Sequence, residues 1–196
     1  MPAHIYIGTG GYSDRALLGT LYPHGTTSAD FMHHYAQHYD CVEINSSFHA
    51  AIGRKSIESM AEKAAGRLKF SFKLHQDFSH TRQADAPRAA AFLEALAPLR
   101  ERGLLAHLLL QFPHSFERTP HNRRYLANLC TWFEGTPLAV EFRHPGWHTS
   151  TVYTAFGTRP ELIWCNVDYP PHIGYPEFHF QSFPGRLRPK YAPKPS

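Results

Sequence analysis

One stretch of the chain constrains the fold more than any other: the segment Cys41–His49, with the sequence CVEINSSFH. Its apolar residues Val42 and Ile44 alternate with Glu43 and Asn45. A period of two is typical of a β-strand, in which successive side chains point to opposite faces. The segment therefore predicts a strand that buries one face and directs an acid and an amide to the other.

Four later apolar runs have the same design, and each carries polar residues near its carboxyl end. They are Lys69–His75 with Lys73 and His75, His107–Phe112 with Gln111, Leu138–His144 with Glu141 and Arg143, and Leu162–Asp168 with Asn166 and Asp168. In a closed parallel sheet, alternate side chains at the carboxyl ends of the strands converge on one mouth, where barrel active sites lie. The repeated pattern therefore predicts a shared polar mouth.

Helical patterns separate the predicted strands, which begin near residues 4, 41, 69, 107, 138 and 162. Apolar residues recur at helical spacing over 28–37, 55–65, 87–102, 120–133 and 151–156. This alternation indicates βα units and a parallel sheet. An open doubly wound sheet is the alternative, but it gathers its chemistry at one switch point, whereas here nearly every strand end is polar. We therefore expect an α/β fold, a TIM-type β/α barrel that is incomplete, with about six of eight βα units.

The length of 196 residues is sufficient for one domain with a sizeable core. We expect residues 1–183 to form the barrel domain, with its last two units missing or degenerate. Residues 184–196 contain four prolines and no apolar periodicity. They predict a basic, proline-rich disordered tail.

The formal net charge of +4 is concentrated in this tail, which carries Arg186, Arg188, Lys190 and Lys194 without an acid. Without these four residues, the basic and acidic residues are equal in number. A neutral body argues against a nucleic-acid surface built into the fold. The three cysteines form no C-x-x-C pair, and the chain shows no leader or membrane-spanning run. We therefore expect a cytoplasmic protein without a membrane partner.

Glu43 and Glu141 are the candidate catalytic residues. Two carboxylates on facing walls of a low-dielectric cavity can have their pKa values driven apart, so that one donates a proton and the other accepts one. Arg143 lies on the same strand face as Glu141 and either grips an anionic substrate or neutralises Glu141. Lys73 is expected to act as an electrostatic clamp or, if it is desolvated, as a Schiff-base nucleophile.

The candidate substrate-binding residues lie at or just beyond the predicted strand ends. They are Tyr12, Asn45, Lys73, Gln111, Arg143, His144, Trp147 and Asp168. The rings of Tyr12 and Trp147 either stack on a sugar or base, or pack in the core. Asp168 with Glu43, Glu141 and a histidine is the only donor set that suggests a divalent metal, and no His-x-His or His-Glu-x-x-His spacing supports it. We therefore assign no metal ligands, and the cofactor is left open.

Four segments resemble the signature blocks of a known family. They are IGTGGY at Ile7–Tyr12, VEINSSF at Val42–Phe48, QFPHSF at Gln111–Phe116 and AVEFRHPGW at Ala139–Trp147. In this order and spacing they are similar to domain-of-unknown-function family 72, the YecE-like proteins. The resemblance covers about residues 4–170. It implies a TIM-type β/α barrel whose biochemical activity is not established.

The chain departs from the family pattern at several positions. It has Gly10, His49, His114 and Gly146 where the family usually has serine or alanine, tyrosine, a second proline and serine. The family also continues through two further βα units where this chain enters its proline-rich tail. The resemblance therefore implies a C-terminally truncated member whose first and last strands have open edges. Open strand edges pair readily, so we expect a homo-oligomer formed through them.

Three functions remain open at this point. The first is an enzyme that acts on a small polar substrate, sugar-like or phosphorylated, through Glu43 and Glu141. The second is a non-catalytic protein that binds a ligand or a nucleic acid. The third is a truncated, inactive family member. The polar strand ends favour the enzyme for the family as a whole.

Overall fold

The computed structural model describes residues 4–167 and contains a six-stranded parallel sheet. The strands are β1 Gly8–Thr9, β2 Cys41–Ile44, β3 Lys69–Lys73, β4 Leu105–Phe112, β5 Leu138–Phe142 and β6 Leu162–Trp164. They pair in consecutive order, and every pair is parallel. A doubly wound sheet reverses its strand order at a switch point, and residues 4–167 contain no such reversal. The predicted α/β fold with barrel-type strand order is therefore confirmed, as a sheet that is open between β1 and β6.

Helices follow the strands on one side of this sheet. They are α1 Phe31–Tyr35, α2 Arg54–Ala64, α3 Gln76–Ser79, α4 Ala86–Ala95, α5 Ala97–Glu101, α6 Pro120–Trp132 and α7 Ser150–Gly157. Side-chain caps set several of the starts. Thr119 accepts a hydrogen bond from the backbone N–H of Asn122 at 3.1 Å, and Asp85 accepts one from Arg88 at 2.9 Å. These bonds satisfy N–H groups that have no partner inside the helix.

The core lies between the helices and the outer face of the sheet. It is built from the apolar residues that alternate with the polar ones, among them Val42, Ile44, Phe70, Phe72, Leu108, Leu110, Val140 and Phe142. Because burial of these side chains orients each strand, the alternate residues of β2 to β5 point to the opposite, inner face. The inner face is where the predicted mouth residues lie.

Two local predictions were wrong. The segment 87–102 forms two helices, because α4 ends at Ala95 and α5 begins at Ala97, with Leu96 between them. Pro98 in the first turn of α5 has no N–H to continue the α4 hydrogen-bond ladder. The first strand is also shorter and later than expected, at Gly8–Thr9 rather than from His4.

Gly8 explains why the first strand pairs where it does. A Cβ atom on this residue would lie 1.9 Å from the carbonyl oxygen of Cys41. Only a residue without a side chain permits β1 to approach β2 this closely. The glycine-rich segment therefore serves a close approach of two strands at this position.

Candidate functional site: the polar mouth of the sheet

The inner-face residues of β3, β4 and β5 meet in a continuous chain of hydrogen bonds. Lys73 Nζ donates to Oε1 of Gln111 at 2.6 Å, and Gln111 Nε2 donates to Oε2 of Glu141 at 2.7 Å. Arg143 Nε donates to the other carboxylate oxygen of Glu141 at 3.1 Å. The parallel register that pairs Gln111 with Glu141 brings these residues together. We call Lys73, Gln111, Glu141 and Arg143 the mouth network.

Gln111 lies between the positive charge of Lys73 and the negative charge of Glu141 and is hydrogen-bonded to both. An ammonium group only donates and a carboxylate only accepts, so the amide is oriented with its oxygen toward Lys73 and its nitrogen toward Glu141. Glu141 is 3% exposed, and a carboxylate buried this deeply requires charged or hydrogen-bonded partners. Arg143 forms an ion pair with Glu141 at 3.1 Å, the contact that the neutralising role requires, and its role in gripping a substrate stays a prediction.

Lys73 lies in a partly apolar setting. Its Nζ is 4.5 Å from the centroid of the Phe48 ring, a distance at which a cation is attracted to the ring face. Burial lowers the pKa of Lys73, the Glu43 and Glu141 carboxylates raise it, and the Arg143 charge lowers it further, with a net shift downward. Desolvation is the condition set above for the Schiff-base role, so the clamp and the nucleophile both stay predictions for Lys73.

Glu43 has a different environment from Glu141. Burial raises the pKa of Glu43, and the Glu141 charge adds to this, while a hydrogen bond from Asn45 and the Lys73 charge act in the opposite direction. A Cβ atom on Gly10 would lie 3.3 Å from Asn45 Nδ2 and 3.9 Å from Glu43 Oε1. The Gly10 backbone thus lies directly beside the Glu43 carboxyl group and its amide neighbour, where a side chain would press against Asn45.

Sequence reasoning missed three inner-face residues below and beside this network. Ser71 Oγ lies 2.9 Å from Nε2 of His107, and register places both in one row with Glu43. Burial lowers the pKa of His107, which favours its neutral form. Burial together with the charges of Glu141 and Glu43 raises the pKa of Cys165 to about 12. Ser71 and His107 alternate with core residues, and this was the signal available for them in the sequence.

Cys165 also corrects the prediction for the last strand. Because Ala139 pairs with Ile163, the next inner-face position after Ile163 is Cys165, and Asn166 lies on the other parity. Asn166 accepts a hydrogen bond from Trp164 Nε1 at 2.9 Å. The sequence around β6 is apolar on both faces, so alternation could not decide which residues point inward. Asp168, the other residue predicted there, lies outside the described residues.

His80 is a further residue near the network. Its ring centroid lies 4.9 Å from that of Phe48. Burial lowers the pKa of His80, and the nearby charges of Lys73 and Arg143 lower it further. His75, by contrast, accepts a hydrogen bond from the backbone N–H of Asp77 at 3.3 Å and caps α3. Of the two histidines, His80 is therefore the one whose pKa is affected by the charges of the mouth network.

The two aromatic residues predicted at the mouth have different surroundings. Trp147 is 2% exposed, donates from Nε1 to the carbonyl of Phe116 at 2.7 Å, and stacks on Phe142 with ring centroids 4.5 Å apart. Its ring therefore belongs to the core beneath the mouth. Tyr12 is half-buried; its carbonyl accepts a hydrogen bond from the Tyr22 hydroxyl, and burial raises the pKa of its own phenol.

His144 lies at the rim, on the loop that follows β5. Its Nδ1 accepts a hydrogen bond from the backbone N–H of Gly146 at 3.0 Å, and its ring centroid is 5.0 Å from that of His114. Two loops, one after β4 and one after β5, thus bring imidazoles together at the edge of the mouth.

A second concavity lies on the outer side of the sheet, between β3 and α4. It has a volume of about 300 Å³ and an apolar lining that includes Ile52, Phe72, Phe78 and Phe92. Asp77 at its edge is paired with Arg88. The charged groups of this cavity therefore neutralise each other, in contrast to those of the mouth.

Two further findings concern residues 4–167. No group of three or more His, Cys, Asp or Glu side chains in this part of the chain is arranged to hold a metal ion. None of its helices has both the length and the apolar character needed to cross a bilayer.

Comparison with known proteins places this geometry in a family. A family model described as "Protein of unknown function DUF72" matches residues 6–189. The UPF0759 protein YunF of Bacillus subtilis (strain 168) is 28% identical over 155 residues, which is 76% of this chain and 54% of that protein.

Solved structures share the fold. A DUF72 family protein from Thermotoga maritima has a TM-score of 0.67 at 28% identity, covering 76% of this chain and 59% of that chain. A DUF72 family protein from Enterococcus faecalis has a TM-score of 0.66 at 23% identity, covering 78% of this chain and 55% of that chain. The chain thus matches little more than half the length of these relatives.

Proposed function

The chain belongs to the DUF72 family of proteins of unknown function, and from that premise we propose that it is an enzyme. We propose that it acts on a small polar substrate, sugar-like or phosphorylated, by carboxylate acid/base chemistry. The chain matches only 54% of the length of its Bacillus subtilis relative. That a full-length family protein has this enzymatic activity is therefore also proposed here.

One observation carries the proposal: two carboxylates share the mouth in opposite environments. Glu141 is held by hydrogen bonds from Gln111 and Arg143. Glu43 is half-buried, and its pKa is raised chiefly by that burial. Such a pair separates two roles, because the raised pKa lets the Glu43 carboxyl group retain its proton more readily than an ordinary glutamate, while Glu141 is fixed by its donors.

The proposed roles follow from these environments. Glu43 donates or removes the proton, since a raised pKa brings a carboxyl group closer to neutral pH. Glu141 with Arg143 forms a rigid wall that positions the polar substrate. Lys73 stabilises negative charge that develops during the reaction, because a partly desolvated cation interacts more strongly than one in water.

The test is a turnover screen with a matched control. The protein is incubated in D₂O with sugar phosphates, free sugars and small hydroxy acids, and conversion or deuterium exchange is followed by NMR. Glu43→Gln keeps the volume but removes the acid, and we expect the rate to fall about 10²-fold or more, the usual size of a lost general acid or base.

Glu62→Gln is the control, because Glu62 is exposed on α2. It removes the same charge without touching the mouth, and we expect the parent rate. Turnover that Glu43→Gln leaves unchanged would sink the proposal. So would a folded parent protein that converts and exchanges none of the compounds.

A further inference from the structure

Arg118 is a cation for which the described part of the chain provides no anionic partner. It lies in the loop between β4 and α6, and its side chain is partly buried. Its Nε atom is buried and makes no hydrogen bond. The ion pairs found within residues 4–167 involve Arg54, His75, Arg88, Arg143 and Arg159, and none includes Arg118. A buried donor without an acceptor is destabilising, and an external acceptor would remove that cost.

Arg118 meets the neighbouring loop at Gly146. A Cβ atom on Gly146 would lie 3.6 Å from the Cβ of Arg118 and 3.0 Å from Nδ1 of His144. Arg118 and His144 therefore both lie against the backbone at Gly146, where a side chain would crowd the His144 ring. The ring of His114, from the same loop as Arg118, lies 5.0 Å from the His144 ring.

The hydrogen bond of His144 decides which of its ring atoms is left to bind a ligand. Nδ1 accepts from the Gly146 N–H, so the neutral ring carries its proton on Nε2 and donates from there. Arg118 and His144 are therefore both donors. The acidic residue next to Arg118, Glu117, is exposed, and no ion pair between the two is found in the described residues.

We propose that Arg118, His144 and His114 form an oxyanion subsite that binds the phosphoryl group of the substrate. Tetrahedral oxyanions accept several hydrogen bonds at once, and arginine with imidazole is a donor set suited to them. The subsite lies on the loops after β4 and β5. His144 directly follows Arg143 in the sequence, and Arg143 is paired with Glu141 in the mouth. This inference rests on the proposed function, which supplies the substrate class. A phosphate bound in the subsite would hold the rest of the substrate beside Glu43 and Glu141.

The test measures binding rather than turnover. Calorimetric titrations at constant ionic strength use inorganic phosphate, glucose 6-phosphate and glucose as probes. We expect the parent protein to bind at least one of the two phosphate compounds, and glucose more weakly or not at all. Arg118→Gln should weaken phosphate binding about tenfold or more, since a charge-assisted hydrogen bond and a full charge are lost.

Two variants separate this effect from general damage. Arg123→Gln removes the same charge from an exposed position on α6 and should bind as the parent does. Arg118→Lys keeps the charge but loses the planar donors, and an intermediate affinity is expected. Near-UV circular dichroism establishes that each variant is folded before titration.

The outcomes distinguish the subsite from the proposed function. Equal binding by Arg118→Gln and Arg123→Gln overturns the subsite, as does a folded parent protein that binds neither phosphate compound. Binding of glucose 6-phosphate alone identifies a substrate phosphoryl group, and equal binding of inorganic phosphate identifies a site for the free anion. Glu43→Gln should bind phosphate normally, so Arg118-dependent binding without any turnover would leave the subsite standing and reject the enzyme.

Discussion

Replacement of Gln111 by methionine tests whether the mouth network is held together as described. The change keeps the length of the side chain but removes both amide groups. Lys73 Nζ loses its contact at 2.6 Å and Glu141 loses its contact at 2.7 Å. The physical question is how much these two hydrogen bonds to charged groups contribute to the free energy of unfolding.

The magnitude follows from the burial of each partner. Hydrogen bonds to charged groups contribute about 1.5 to 3 kcal/mol each, and the lower figure suits the more accessible Lys73. The apolar methionine recovers a part of the loss through packing. We therefore expect Gln111→Met to lower the free energy of unfolding by about 3 kcal/mol. At an m-value of about 2 kcal/mol/M, the urea midpoint should fall by about 1.5 M.

The assay is urea unfolding followed by circular dichroism, with Gln37→Met as the control. Gln37 is exposed on the surface, and its replacement should change stability by less than about 0.5 kcal/mol. In a double-mutant cycle, Lys73→Met and Gln111→Met should couple by about 1 kcal/mol, because they remove the same contact. A loss below about 1 kcal/mol for Gln111→Met, or strict additivity with Lys73→Met, would refute the reasoning.

Three other changes test separate parts of the structure. Trp147→Ala should cost about 3 to 5 kcal/mol in urea unfolding because the ring is a core residue; a cost below about 1 kcal/mol would place it outside the core. Gly8→Ala should cost about 2 kcal/mol or more, since its Cβ would overlap the Cys41 carbonyl, whereas Gly10→Ala should cost less than about 1 kcal/mol; equal costs would contradict the close approach. Burial raises the pKa of Glu43 in the folded state, so the native protein binds that proton more tightly than the unfolded chain does. Its contribution to stability is therefore present below the unfolded pKa and is lost as pH rises through the folded pKa. Urea curves at acid and neutral pH should show Glu43→Gln gaining stability relative to the parent as pH rises, and a constant difference would contradict the raised pKa.

The polar mouth shows how far the sequence alone leads. Alternation predicted that Glu43, Lys73, Gln111, Glu141 and Arg143 share one face of the sheet, and the structure places the last four in one hydrogen-bonded network. This worked because each strand buries one apolar face, which dictates the direction of every second side chain.

The prediction failed where that local signal is absent. Around β6 both faces are apolar, so only pairing with β5 shows that Cys165 points inward and Asn166 does not. For Trp147 the sequence left two positions open, and only the structure shows the core one, against Phe116 and Phe142. Arg118 was not a candidate, because its missing partner is a property of packing that no motif records.

The sequence by itself determined the class of fold and the face on which polar groups gather, since both depend on the short-range periodicity of strands and helices. The tertiary structure alone decided the partner of each polar group. Gln111 joins residues 38 positions before it and 30 positions after it, and such contacts depend on the register between strands rather than on any local pattern. A hydrogen bond forms only within about 3 Å. Roles in the mouth therefore follow from how the strands align, a property that appears only when the sheet is assembled.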